Sequence, residues 1–97
     1  MRYEIELAPE AVEDLKRLKA RDRAQVGGAM EAHLRHEPRK TSKSRIKRLR
    51  GLSKPQYRLR VDEFRVFYDV TKRRVQVLAI VPKAGADEWL SKAGEKP

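Results

Sequence analysis

Residues 57–70 read YRLRVDEFRVFYDV, and the folding of this stretch decides the rest. Apolar side chains alternate with others from Tyr57 to Val61 and again from Phe64 to Val70, the period of half-buried strands. Asp62-Glu63 then forms the two-residue loop of a hairpin. In that register Val61 lies opposite Phe64, Arg60 opposite Arg65, Leu59 opposite Val66 and Arg58 opposite Phe67. Successive side chains point to opposite faces, so Tyr57, Leu59, Val61, Phe64, Val66 and Tyr68 share the face that meets the helices. Arg58, Arg60 and Arg65 share the other, with Phe67 beside them. Like charges directly across two strands cost up to about 1 kcal/mol, and a surface built only for solubility would mix signs. A phosphate between the guanidinium forks reverses that sign, because the forks bind its oxygens bidentately. The open alternative is that the arginines splay into water or pair with Asp69, Asp87 or Glu88. Asp-Glu lacks the glycine that tight hairpin loops favour, and a slip of one residue would undo the Arg60–Arg65 pairing.

The charge of the whole chain points the same way. Lys and Arg number 24 against 14 Asp and Glu, for a net charge of +10. From Arg39 to Arg60 run Arg39, Lys40, Lys43, Arg45, Lys47, Arg48, Arg50, Lys54, Arg58 and Arg60 without one acidic residue. Such a single-sign field favours nucleic acid or an acidic protein partner and speeds its capture. The blander reading is a solvated basic loop. There is no cysteine, which suits a reducing cytoplasm. No apolar run has the length of an anchor or signal segment, so a cytoplasmic protein without a membrane partner is expected.

Around the hairpin, the pattern predicts an α+β fold of one domain over residues 1–97. Arg2 to Leu7 alternate as a first strand. Pro9 suits the first turn of a helix carrying Val12, Leu15 and Leu18. Asp22 and Gln25 resemble a capping box opening a second helix, with Val26, Met30 and Leu34 as its stripe and Pro38 beyond its end. Strands follow at about Ile46–Arg50, Tyr57–Val61, Phe64–Val70 and Arg74–Val81. In the last of these Val75, Val77, Ala79 and Val81 are expected to face one way, Leu78 and Ile80 the other. A short helix over Ala84–Lys92 carries Trp89, and residues 94–97 are expected to fray. The fold is thus an N-terminal strand and two-helix hairpin on a mainly antiparallel sheet of four to five strands, with a short C-terminal helix.

At this point the sequence resembles the RelE/ParE superfamily of toxins from bacterial type II toxin–antitoxin systems, closest in style to the RelE branch. The residues that carry the likeness are "KRLRGL" (47–52), "YRLRV…FRVFYDV" and "VQVLAIVPKAGADEWL" (75–90). The resemblance implies a microbial-ribonuclease-like fold. It also implies an enzyme without metal or cofactor that enters the ribosomal A site and cuts messenger RNA until an antitoxin wraps it. Carried over by position, the basic residues before the turn fall on Arg58 and Arg60, and the arginine after it on Arg65. The base past the last strand falls on Lys83 and the following aromatic on Trp89, while Arg48 and Arg50 match flanking bases that grip RNA. With Arg45, Lys47, Lys54 and Phe67 these form the expected RNA-binding surface. The implied partners are messenger RNA, ribosomal RNA and an acidic antitoxin that folds on binding.

Cleavage by a ribose 2′-OH needs a proton acceptor, a proton donor and positive charge around the phosphate. Arginine supplies only the charge, since it stays protonated. The family commonly has lysine where Arg58 and Arg60 stand and tyrosine where Trp89 stands; tryptophan can stack on a base but moves no proton. Lys83 is then the ordinary titrating group among the transferred positions, with Asp87 or Glu88 available if the terminal helix turns one inward. His33 and His36 are expected at the surface, away from the arginines, and no metal-ligand spacing occurs. A non-enzymatic gyrase poison in the manner of ParE, or a member that only binds RNA or its antitoxin, remains the alternative reading.

Overall fold

The computed structural model describes residues 1–97, and in it the Tyr57–Val70 hairpin forms in the expected register. β3 (Tyr57–Val61) and β4 (Phe64–Val70) pair with Arg60 opposite Arg65 and Arg58 opposite Phe67. The loop avoids a slip without glycine because Asp62 takes a left-handed backbone, φ 49°, which Asp tolerates better than most residues. Its carboxylate accepts a hydrogen bond from Gln25 Nε2, 37 residues away.

The other elements are β1 (Glu4–Leu7), α1 (Pro9–Arg17), α2 (Ala20–Leu34), β2 (Ile46–Arg48), β5 (Arg74–Pro82) and α3 (Ala86–Ala93), with a 3₁₀ turn at Lys83–Gly85. The five-stranded sheet has the order β1-β5-β4-β3-β2. β1 runs parallel to β5 and every other pairing is antiparallel. Ala11 of α1 and Val26, Met30 and Leu34 of α2 meet Leu59, Val66, Tyr68, Val75 and Val77 in the main core. The buried Tyr68 hydroxyl donates to Pro38 O at 2.7 Å, so the chain leaving α2 is tied to the sheet. Burial raises its pKa, with the Tyr57 phenol adding to the shift, so the hydroxyl keeps its donor proton.

Strand β5 departs from simple alternation. Phe67 pairs with Ala79 but Tyr68 with Val77, leaving Leu78 as an extra residue. The bulge turns the strand over: Val75, Val77 and Ile80 enter the main core, whereas Ala79 lies across from Phe67 on the opposite face. The expected grouping of Ala79 and Val81 with Val75 and Val77 is corrected accordingly. Beyond Leu7 the outer edge of β5 has no strand beside it. There Asp14 of α1 accepts the Ile80 backbone N–H at 2.9 Å.

Two further expectations are corrected. α2 begins at Ala20 after Lys19, with no side-chain cap, and Gln25 reaches the hairpin loop instead of closing a capping box. The end of the chain is also held: Glu95 bridges Lys54, with Glu95 N donating to Lys54 O at 2.7 Å and Ser53 N to Glu95 O at 2.7 Å. The reason is that the Ser53–Pro55 segment offers unpaired backbone groups that an extended tail can satisfy.

Asp14→Ala leaves the Ile80 N–H without its acceptor. It should lower stability by about 1–3 kcal/mol, read as a lower urea midpoint at unchanged slope.

Candidate functional site

The pleat and the cross-strand register assemble one cationic face. On the side away from α1 and α2, Lys47, Arg58, Phe67 and Ala79 form one row across β2 to β5. Arg60, Arg65 and Val81 form the next, and Arg60 N donates to Arg45 O at 2.8 Å, which brings Arg45 alongside. None of these five basic side chains is in an ion pair; the acids that pair elsewhere serve other bases, as Glu31 does Arg35 and Glu88 does Lys92.

The three arginines differ in what they have left to offer. Arg60 is exposed, with no side-chain partner. Arg58 is half-buried in the row beside the other two, and its Nε is buried without a hydrogen-bond partner. Burial first, then the charges of Arg65 and Arg60, push its pKa down, so the cation is held where it is least comfortable. Arg65 is only 6% exposed, and its Nη1 donates to Asp62 O at 2.8 Å and Phe64 O at 2.9 Å. It fastens the turn while adding charge beneath the surface. Lys83 is exposed at the same end, with its backbone N–H on Glu63 O at 2.7 Å.

The aromatic residues are arranged differently from the expectation. Phe67 is fully buried and lies under Trp89, with ring centroids 4.8 Å apart and planes within 9°. It therefore offers no face to a nucleotide, and its expected place on the RNA-binding surface is corrected. Trp89 uses one ring face as the anchor of α3, because an apolar ring on a sheet face needs a cover when the helices lie on the other side. Asp87 and Glu88 are exposed.

The flanking bases divide. Arg45 and Lys47 join the arginine face. Arg48 points to the other side of β2, where its guanidinium lies 5.2 Å over the Tyr57 ring and donates to Gln56 O at 2.8 Å. Arg50 lines a groove of about 580 Å³ formed by residues from Thr41 to Leu52, and Lys54 sits beside Glu95. His33 shares a pocket with Arg45, and burial, with the Arg45 charge second, lowers its pKa. His36 is exposed. Asp69 caps Gln56 N at 2.8 Å instead of facing the arginines.

An α+β fold with a two-helix layer on one face of a five-stranded sheet is shared with solved toxin structures from bacteria and archaea. Residues 5–85 match the family described as ParE toxin of the type II toxin–antitoxin system, and the chain belongs to that family, within the RelE/ParE superfamily. Among solved structures, the E. coli toxin RelE, a double mutant in the free state, shares 26% identity with a TM-score of 0.70 over 96% of this chain and 95% of that one. The archaeal RelE–RelB complex from Pyrococcus horikoshii matches at 23% identity and TM-score 0.70, covering 86% and 97%. The E. coli DinJ–YafQ toxin–antitoxin complex matches at 16% identity and TM-score 0.68, covering 88% and 97%. No curated protein sequence matches the chain. No helix is long and apolar enough to cross a membrane.

Two outcomes test this geometry. Arg60→Gln removes a like-charge pair across the hairpin and should stabilise the fold by a few tenths of a kcal/mol. The gain should shrink between 0.05 and about 1 M salt as charges are screened, followed by thermal melting at each ionic strength. Phe67→Ala strips Trp89, the single tryptophan, of its stacking partner; its emission should shift to the red, toward that of water-exposed indole.

Proposed function

We propose that this toxin binds messenger RNA on the ribosome through its arginine face and cleaves it by 2′-OH attack, stopping translation. The observation that carries the reading is the buried, partnerless Nε of Arg58 beside the facing guanidinium groups of Arg60 and Arg65. A cation held without a counter-ion, partly desolvated and beside its like, is stabilised by a phosphate, and more so by one gaining charge in a transition state. Arg58 and Arg60 touch the phosphate in this reading. Arg65 holds the turn and adds field from below, and Lys83 is the proton-transferring group at the rim. Arg45 and Lys47 extend the grip along the strand, with Arg50, Lys54 and the outer edge of Trp89 as flanking contacts. The whole chain acts as one toxin domain in the cytoplasm.

The same face explains how such an activity would be silenced. The complexes among the similar structures pair toxins with antitoxins. We infer for this chain a cognate antitoxin whose acidic segment folds over Arg58 and Arg60 or lifts α3 from Phe67.

A second reading rests on a specific observation. Neither histidine is in the rows of Arg58, Arg60 and Arg65, Asp69 is bound to Gln56 N, and Glu88 is paired with Lys92. A face that binds polyanions without moving protons, together with the ParE description of the family, supports a gyrase poison that makes no cut.

Primer extension on a reporter message in a reconstituted translation system separates the two. Ribosome-dependent breaks should appear with the wild-type protein. They should fall about 100-fold with Arg60→Ala and vanish with Lys83→Ala. Intact message with translation still running would overturn the nuclease reading, and inhibition of gyrase supercoiling would then support the second.

A further inference from the structure

A second cationic site lies at the other end of the sheet. Parallel pairing sets Glu4 beside Arg74, which carries Arg2 next to the β4–β5 turn, about 70 residues away in the chain. Arg2, Glu4, Thr71, Lys72, Arg73 and Arg74 line a pocket of about 390 Å³ with no apolar wall. Arg74 is matched by Glu6 at 3.0 Å and Glu4 at 3.9 Å. Those two carboxylates are thereby occupied, and Arg2, Lys72 and Arg73 are left with no ion pair. The turn itself is held open to solvent in a fixed shape. Thr71 N donates to Arg74 O at 2.9 Å, and Arg39 donates to Thr71 O at 3.3 Å and to Tyr3 Oη at 3.0 Å. Arg39 thus adds a fourth cation behind the turn while serving as its brace.

We propose that this pocket is a second phosphate-binding site for RNA, used together with the arginine face and separate from it. Free guanidinium and ammonium groups around a hydroxyl-bearing turn, without an apolar wall, suit a phosphodiester backbone and offer nothing to an apolar peptide or helix. β5 runs from this pocket to the Arg65–Lys83 end over nine residues, a span of about 25 Å at the rise of a strand. One short oligonucleotide lying on the arginine face would not reach it. A long or folded RNA would, and the two sites together would orient the toxin on its target. The proposal extends the RNA-binding reading to a new surface but concerns binding alone, so it stands or falls apart from cleavage.

The test is fluorescence anisotropy with a labelled 30-nucleotide single-stranded RNA, titrated from 0.1 to 1 M salt. The proteins are wild type, the triple variant Arg2→Gln/Lys72→Gln/Arg73→Gln, its charge-keeping control Arg2→Lys/Arg73→Lys, and Arg58→Gln/Arg60→Gln. Each phosphate contact contributes about 0.7 to the slope of log K against log salt for single strands. Losing two or three contacts should lower the slope by about 1.4–2.1, and affinity at 0.1 M by about 20- to 100-fold relative to 1 M. The charge-keeping control should keep the wild-type slope, which ties the loss to charge. An unchanged slope in the triple variant, or an equal loss in the control, would overturn the proposal. A fall only in Arg58→Gln/Arg60→Gln would leave the arginine face standing and remove this site. A fall only in the triple variant would do the reverse. An equal loss with DNA of the same sequence would overturn the assignment to RNA.

Discussion

Two guanidinium groups, Arg60 and Arg65, face each other across β3 and β4, and much of the surrounding structure holds them there against their repulsion. The hairpin register puts them opposite, and the loop that sets the register is fastened from three sides. Gln25 of α2 holds the Asp62 carboxylate, Arg65 holds the Asp62 and Phe64 carbonyls, and Lys83 N holds the Glu63 carbonyl. A two-residue loop without glycine would otherwise be free to slip, and each slip would move the arginines to the other face. The repulsion is thus stored locally and offset by contacts that reach α2 and the end of β5.

The bulge at Leu78 is the second device. By turning β5 over, it lets one strand serve two apolar clusters: Val75, Val77 and Ile80 beneath the helices, Ala79 beside Phe67 on the other face. The second cluster is small, little more than Phe67 and Trp89 in contact, yet it fixes α3 beside the cationic rows. Asp14 satisfies the amide at the turned-over segment. A carboxylate from α1 therefore supports the strand that frames the site on the opposite side of the sheet.

Much of this was legible in the chain, for physical reasons that can be named. β3 and β4 were legible because alternation with period two is a local property, and the loop between them has only two residues. α1 and α2 were legible from apolar stripes at helical spacing, although the start of α2 was misplaced because Asp22 and Gln25 mimic a cap while Gln25 serves a distant loop. Phe67 was misread because alternation assigns a face but says nothing of what covers it. The Arg2–Arg73 pocket escaped notice because its bases are balanced by acids when counted along the chain; only the pairing of Glu4 and Glu6 with Arg74 leaves the others unmatched.

The amino-acid sequence by itself determined the strand periods, the hairpin loop, the faces of Arg58, Arg60 and Arg65, and the strong positive field from Arg39 to Arg60. These follow from the order of neighbouring residues and the pleat, and the distant contacts of Gln25 and Lys83 then hold the loop in that register. The tertiary structure decided which of those arginines is free and which is bound, since burial and carbonyl acceptors belong to the assembled chain. It also decided the turning-over of β5, the cover on Phe67 and the meeting of Arg2 with Lys72 and Arg73. Each of these requires segments far apart in sequence to compete for the same backbone groups or the same apolar surface, and that competition is settled only when the sheet is complete.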